Sequence, residues 1–206
     1  MTAPTAVLRL ALDPTAQDLL FREARTANTF TSEPVTDEQI RAVHDLVKYA
    51  PTSMNQQPLR IVLVRSAKAR ERLVRHMVGN NAAKVSAAPL VALLAADYEF
   101  HEKLPRLFPH RPEVRELFAD RAVREESARF NATLQIAYFI LGVRAAGLAA
   151  GPIVGFDTEG LDREFFGARE QRTATVLTVV NLGKPAENAW SARLPRLDFH
   201  EVVTTV

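Results

Sequence analysis

The sequence predicts an α/β fold, and three observations carry that prediction. Two runs of branched residues, Leu59–Val64 and Leu90–Ala95, flank a charged segment of helical character at residues 67–77. A third run, Thr175–Leu182, carries β-branched residues at five of its eight positions. Between the second and third runs, residues 121–146 have the length of a helix about 39 Å long.

Taken in order, residues 16–23 form a first helix. Thr36-Asp37-Glu38-Gln39 has capping-box form, with a hydroxyl at the cap, an amide three residues on and acids in the first turn. Ile40, Val43, Val47 and Ala50 follow at helical spacing, and Pro51 stops the helix because it can neither donate nor tolerate a helical predecessor. Leu59–Val64 then reads as a buried strand. Gly79 ends the helix at 67–77, and Asn81 and Lys84 sit on a short turn or helix before the second strand. Residues 98–120 are the least regular stretch. Their aromatics argue that they pack down as an excursion covering a site, not as a linker. The long helix starts charged (Arg124, Glu125, Glu126, Arg129) and turns almost wholly apolar from Leu134 to Leu141. A helix apolar on all sides is buried, which here implies a second subunit. Gly147 and Gly151 end it, residues 158–166 form another short helix, and residues 185–206 wrap as an extended C-terminal arm. The whole, residues 1–206, reads as one domain, and a domain of that size buries roughly 70% of its unfolded surface.

Composition narrows the function. With no Cys, thiol catalysis, disulfides and Cys-based metal sites are excluded, and a reducing compartment fits. A net charge of +2 with interspersed signs offers no nucleic-acid footprint. No apolar run reaches the length of a membrane span. Met1–Ala6 lacks the basic start and apolar run of a signal peptide, so a cytoplasmic location is expected. His44, His76, His101, His110 and His200 have no metal-ligand spacing, and no metal is expected. His101 and His110 remain possible proton donors, with packing or surface histidines the commoner case. Ser53 and Ser86 lack a nucleophile-elbow context, and there is no P-loop. Nothing in the chain amounts to a self-sufficient amino-acid catalyst.

The loop Pro51-Thr52-Ser53-Met54-Asn55-Gln56-Gln57-Pro58 bears two hydroxyls, three carboxamides and no charge. Such a set suits a polar, uncharged ligand edge, such as the pyrimidine half of a flavin with its alternating C=O and N–H groups; a helix-terminal loop satisfying its own backbone is the plain alternative. Upstream, Arg25-Thr26 offers a guanidinium fork and a hydroxyl suited to phosphate.

These two segments, in this order, resemble the FMN-dependent nitroreductase family. The resemblance extends to Asn81-Ala82-Ala83-Lys84, to Gly151-Pro152-Ile153-Val154-Gly155-Phe156-Asp157 and to Ala192-Arg193-Leu194-Pro195. Residues 100–110 and 192–197 are similar to the branch of malonic-semialdehyde reductases and their relatives. The resemblance implies a three-layer fold with a central, mainly antiparallel sheet flanked by helices, a long buried helix, a C-terminal arm and an obligate homodimer with active sites at the subunit interface. It implies FMN as cofactor, NAD(P)H as electron donor and ping-pong hydride transfer to a small organic acceptor: a nitro compound, quinone, enone or short aldehyde. Arg25 and Arg193 would bind the FMN phosphate, supported by Thr26, Asn28 and Lys84. Asn81 would meet the flavin's polar edge or ribityl chain. Pro152, Ile153, Val154 and Gly155 would pass over the ring near N5. Pro51, Thr52, Ser53 and Asn55 would come from the partner subunit.

The chain departs from the family pattern at Ala24, Asn28 and Ser191, where many members carry a cation, at Val154, where many carry Glu, and at Leu59, Gln56 and Gln57. Two other classes stay open: a different flavin reaction on this scaffold, and a flavin- or ligand-binding module without redox turnover.

Overall fold

The computed structural model describes residues 10–167 and 172–206; the N-terminal segment Met1–Ala6 lies outside the described residues. Helix α1 (Pro14–Gln17) is capped by Asp13, whose carboxylate accepts from the Ala16 N–H at 2.9 Å, and continues as a π turn over Asp18–Arg22. Helix α2 (Asp37–Val47) begins with the expected capping box. The Thr36 hydroxyl accepts from Gln39 N–H at 3.2 Å, and the Gln39 side chain accepts from Thr36 N–H at 2.9 Å. Strand β1 (Leu59–Val64), α3 (Ala67–Val74), α4 (Asn81–Ala87) and β2 (Leu90–Asp97) follow. The excursion carries 3-10 turns at Phe100–Lys103 and Pro112–Phe118 around α5 (Leu104–Leu107). Then come α6 (Arg121–Ala145), β3 (Ala149–Ile153), α7 (Thr158–Phe166), β4 (Ala174–Gly183) and α8 (Phe199–Val202).

The four strands form one antiparallel sheet in the order β1-β2-β4-β3. Alternation along β2 builds two cores. Leu90, Ala92 and Leu94 face Val43 of α2 and Ile136, Phe139 and Val143 of α6. Val91 and Leu93 face Leu73 of α3, Val85 of α4 and Leu161 of α7. The sheet is therefore the middle of three layers, as the resemblance implied. The excursion forms a third cluster, in which Tyr98, Phe100, Leu104, Val114 and Phe118 bury against Ala128 and Ala132 of α6.

Four points refine or correct the sequence reading. First, β3 was not expected as a strand: Ala-Ala-Gly-Pro-Ile has little β propensity, and Pro152 is tolerated because β3 is an edge. Second, β1 is half-buried, with only Val64 fully covered, because it is the opposite edge. Third, within one chain the apolar part of α6 keeps an open face, the one left for the second subunit that the sequence reading expects: Leu134 and Tyr138 are 40% and 43% exposed, and Phe130, one turn earlier, 66%. Fourth, the C-terminal arm includes the one-turn helix α8, closed by Asp198 and Glu201.

Candidate functional site

Residues 27–31 are stitched between β3 and the arm. Ala27 N–H donates to Ala150 O at 3.0 Å, Asn28 N–H to Ala189 O at 2.9 Å and Thr31 N–H to Lys184 O at 2.9 Å. This stitching brings Arg25 and Arg193 to one cavity of about 230 Å³, which Thr26, Asn28, Ser191 and Arg196 also line. Arg25 donates to Ser191 O at 3.3 Å, and Arg193 donates to Arg22 O at 2.5 Å with Glu23 at 3.6 Å. Ala24, Asn28 and Ser191, the positions where the family pattern carries a cation, all lie on this cavity.

Thr26 and Asn28 also line a second cavity of about 240 Å³, so the two form one groove. Asn81, Lys84, Pro152, Ile153, Val154 and Gly155 line that second part, with Asn181. Lys84 donates to Asn28 Oδ1 at 2.8 Å. The Gly155 carbonyl accepts from the Asn81 side chain at 3.0 Å and from Val78 N–H at 3.1 Å. A Cβ on Gly155 would lie 2.5 Å from Asn81 Nδ2, so a side chain there would push the Asn81 carboxamide off the Gly155 carbonyl. Val154 is 78% exposed beside the groove. The Asn181 carboxamide is buried, and its Oδ1 has no hydrogen-bond partner. Sequence reading passed over Asn181, which lies within the third branched run.

The neutral loop does not reach this groove within one chain. By strand order, β1 and β3 are opposite edges, about 14 Å apart at the usual strand spacing. By register, Gly151 is level with Asn181, Val91 and Val64, while the loop enters at Leu59, about 17 Å along the strand. Loop and groove occupy diagonal corners of the sheet. Pro51, Thr52, Ser53 and Asn55 are therefore brought together with one another, and not with Arg25, Asn81 or Arg193.

A polar stripe on α6 holds the loop. Ser127, Asn131 and Gln135, four residues apart, share one face. Ser127 donates to Gln56 Oε1 at 2.9 Å, and Asn131 donates to the same oxygen at 3.1 Å. Asn131 Oδ1 accepts from Ser53 N–H at 2.8 Å, and Gln135 Oε1 accepts from Leu59 N–H at 2.9 Å. Gln56 is 1% exposed, so one of the three carboxamides read as a ligand edge is turned into the protein. Asn55 is exposed but engaged, donating to Leu107 O at 2.9 Å and accepting from Gln57 Nε2 at 2.7 Å. The loop adopts left-handed conformations at Met54, Asn55 and Gln57, with φ of 50°, 52° and 47°, and the stripe holds that strained path in place. Asn131→Leu leaves Ser53 N–H without its acceptor and deprives Gln56 of a donor; a loss of about 2–3 kcal/mol is expected in urea unfolding.

In the excursion, Glu99, His101 and Glu102 bring possible ligand atoms within 4.8 Å of one another, a grouping absent from the sequence reading. Arg115 lies 2.7 Å from Glu102 and Arg124 3.7 Å from Glu99, so the acids are already paired with cations. Burial, with Arg124 nearby, pushes His101 below the usual histidine range and favours its neutral form. A neutral imidazole at pH 7 is a poor proton donor. Among the described residues, no helix is long and apolar enough to cross a membrane.

Comparison with known proteins identifies the family. The model of the "Nitroreductase family" matches residues 21–184. A relative from Streptomyces griseus, named "Putative NADH dehydrogenase/NAD(P)H nitroreductase", is 62% identical over 200 residues, covering 97% of this chain and 100% of the relative. Among solved structures, a "putative nitroreductase in complex with FMN" from Exiguobacterium sibiricum is similar with a TM-score of 0.80 at 16% identity, covering 97% of this chain and 100% of that one. A "putative NAD(P)H:FMN oxidoreductase" from Staphylococcus epidermidis gives a TM-score of 0.78 at 19% identity, over 98% of this chain and 99% of that one. At those identities the structures speak to the fold alone. The family model covers most of the chain and the bacterial relative nearly all of it: this chain belongs to the nitroreductase family.

Proposed function

We propose that the protein is an FMN-dependent oxidoreductase that uses NAD(P)H to reduce a small organic acceptor in the cytoplasm. The observation that carries this reading is a pair of adjoining cavities that share Thr26 and Asn28: one is lined by Arg25, Arg193 and Arg196, the other by carboxamides and backbone, with Lys84 bonded to the shared Asn28. That polarity fits FMN, whose phosphate is anionic and whose ring edge is neutral. The buried, unpartnered Asn181 Oδ1 beside the groove is a further polar atom that a hydrogen-bonding ligand suits. Bound there, FMN supplies hydride transfer between the nicotinamide and the acceptor.

The chain's own task is to bind and orient. Arg25, Arg193 and Thr26 hold the phosphate, with Lys84 tethered through Asn28. Asn81 fixes the Gly155 carbonyl and faces the ribityl or flavin edge. Pro152, Ile153, Val154 and Gly155 run along the reacting side, where the exposed Val154 offers an apolar contact to an acceptor. Pro51, Thr52, Ser53 and Asn55 complete the site of a second copy. Three features support a homodimer: the diagonal separation of loop and groove, the exposed Phe130, Leu134 and Tyr138 of α6, and the open edge of β1. The acceptor class covers nitro compounds, quinones, enones and short aldehydes such as malonic semialdehyde.

Titrating apoprotein with FMN by flavin fluorescence, followed by NAD(P)H oxidation against those acceptors, tests the reading. Saturable binding with turnover is expected; protein that binds no FMN overturns it. Arg193→Ala is expected to weaken FMN binding by about 1.5–3 kcal/mol, the range for a hydrogen bond to a charged group. A monomer that keeps FMN and full turnover on dilution would contradict the shared site.

A further inference from the structure

We infer that Arg196 is a third phosphate-binding residue, and that it makes the site select phosphorylated flavin over phosphate-free flavin. This rests on the FMN reading above. Arg25, Arg193 and Arg196 line one cavity of about 230 Å³, and no carboxylate lines it. The nearest acid in contact with the set is Glu23, 3.6 Å from Arg193, which offsets part of that guanidinium's charge. Arg25 makes a single hydrogen bond to a neutral carbonyl, Ser191 O. Among the described residues, neither Arg25 nor Arg196 has an ion-pair partner.

A phosphate monoester carries about −1.5 to −2 charges near neutral pH. Lys84 lines the neighbouring cavity and is directed at Asn28 Oδ1, so within the arginine cavity Arg25 and a partly compensated Arg193 fall short of neutralising it; a third guanidinium closes the gap. Arg196 is also prepared for the role. Its Nη1 donates to Leu194 O at 2.9 Å and to Pro195 O at 3.0 Å, which steadies the head and leaves its remaining donors for an anion. Pro195, with its fixed φ, limits the freedom of the arm just before it.

The test titrates wild-type and R196A apoprotein with FMN and with riboflavin, which shares the ring and ribityl chain but lacks the phosphate. The unfolding midpoint of each apoprotein controls for fold. The expected result is a rise in FMN Kd of about tenfold or more in R196A, with riboflavin affinity and the midpoint unchanged. FMN affinity within twofold of wild type, or an equal loss for both flavins, overturns the role of Arg196 and leaves the FMN reading standing. Wild-type protein that binds neither flavin overturns both.

Discussion

Asp162→Ala is expected to remove about 3–5 kcal/mol of folding stability, the range for breaking a buried ion pair from one side. Asp162 is 0% exposed on α7 and sits beneath the start of β4. It accepts from the Thr175 hydroxyl at 2.7 Å, from Val176 N–H at 2.7 Å and from Arg172 at 3.0 Å. Alanine leaves a buried N–H and a largely buried guanidinium without their acceptor, and removes buried side-chain volume. Asp162→Asn keeps the volume and an acceptor for Val176, so its loss should be smaller, about 1–2 kcal/mol. Burial pushes the Asp162 carboxyl up from its ordinary value, against the pull of Val176, Thr175 and Arg172. With the folded-state pKa raised, the folded protein binds this proton more readily than the unfolded chain. This ionisation therefore favours folding most at low pH and progressively less as pH rises through the raised pKa. In urea unfolding, the stability of wild type relative to Asp162→Asn should therefore fall as pH rises above the ordinary carboxylate range. A loss under about 1 kcal/mol for Asp162→Ala would show that this carboxylate does not anchor the strand.

The elements that could be read from sequence share a local cause. The Thr36–Gln39 capping box uses side chains within one turn, and it forms as the spacing predicts. Helix α7 matches its expected span, and β1, β2 and β4 contain their branched runs. β3 had no such local signature. Its Gly151 and Pro152 look like breakers, and their use, close approach at Gly151 and an unpaired edge at Pro152, is a tertiary fact. The site divides the same way. Arg25 and Arg193 meet through backbone bonds of residues 27–31 to β3 and the arm, which no local pattern encodes; the family resemblance alone linked them. Gln56 was misread because the left-handed residues on either side reverse the usual alternation of side chains, so its direction could not be read from spacing. The Ser127–Asn131–Gln135 stripe was readable in principle. It was missed because polarity was followed along α6, not around it.

Gly151→Ala is expected to damage the site more than the fold. A Cβ at Gly151 would lie 2.5 Å from Ala27 O, a backbone atom that no rotamer change can move aside. It would also meet Asn181 Cβ and Phe30 Cζ, each at 3.5 Å, so the added carbon cannot lean away freely. Relief must come from moving residues 24–28, the segment that carries Arg25, Thr26 and Asn28 into the groove. That displacement strains the 3.0 Å bond from Ala27 N–H to Ala150 O and the 2.8 Å bond from Lys84 to Asn28. Overpacking of this kind costs about 1–3 kcal/mol of stability. FMN affinity should fall by about 100-fold or more, because two phosphate donors and the Lys84 tether shift together and misplaced charged hydrogen bonds lose about 1.5–3 kcal/mol each. Pro152→Ala supplies the comparison, since Pro152 is exposed on the same edge strand; its effect on stability should stay within about 0.5 kcal/mol. If Gly151→Ala bound FMN as tightly as wild type while losing stability, residues 24–28 would not position the phosphate, and the groove would need another ligand.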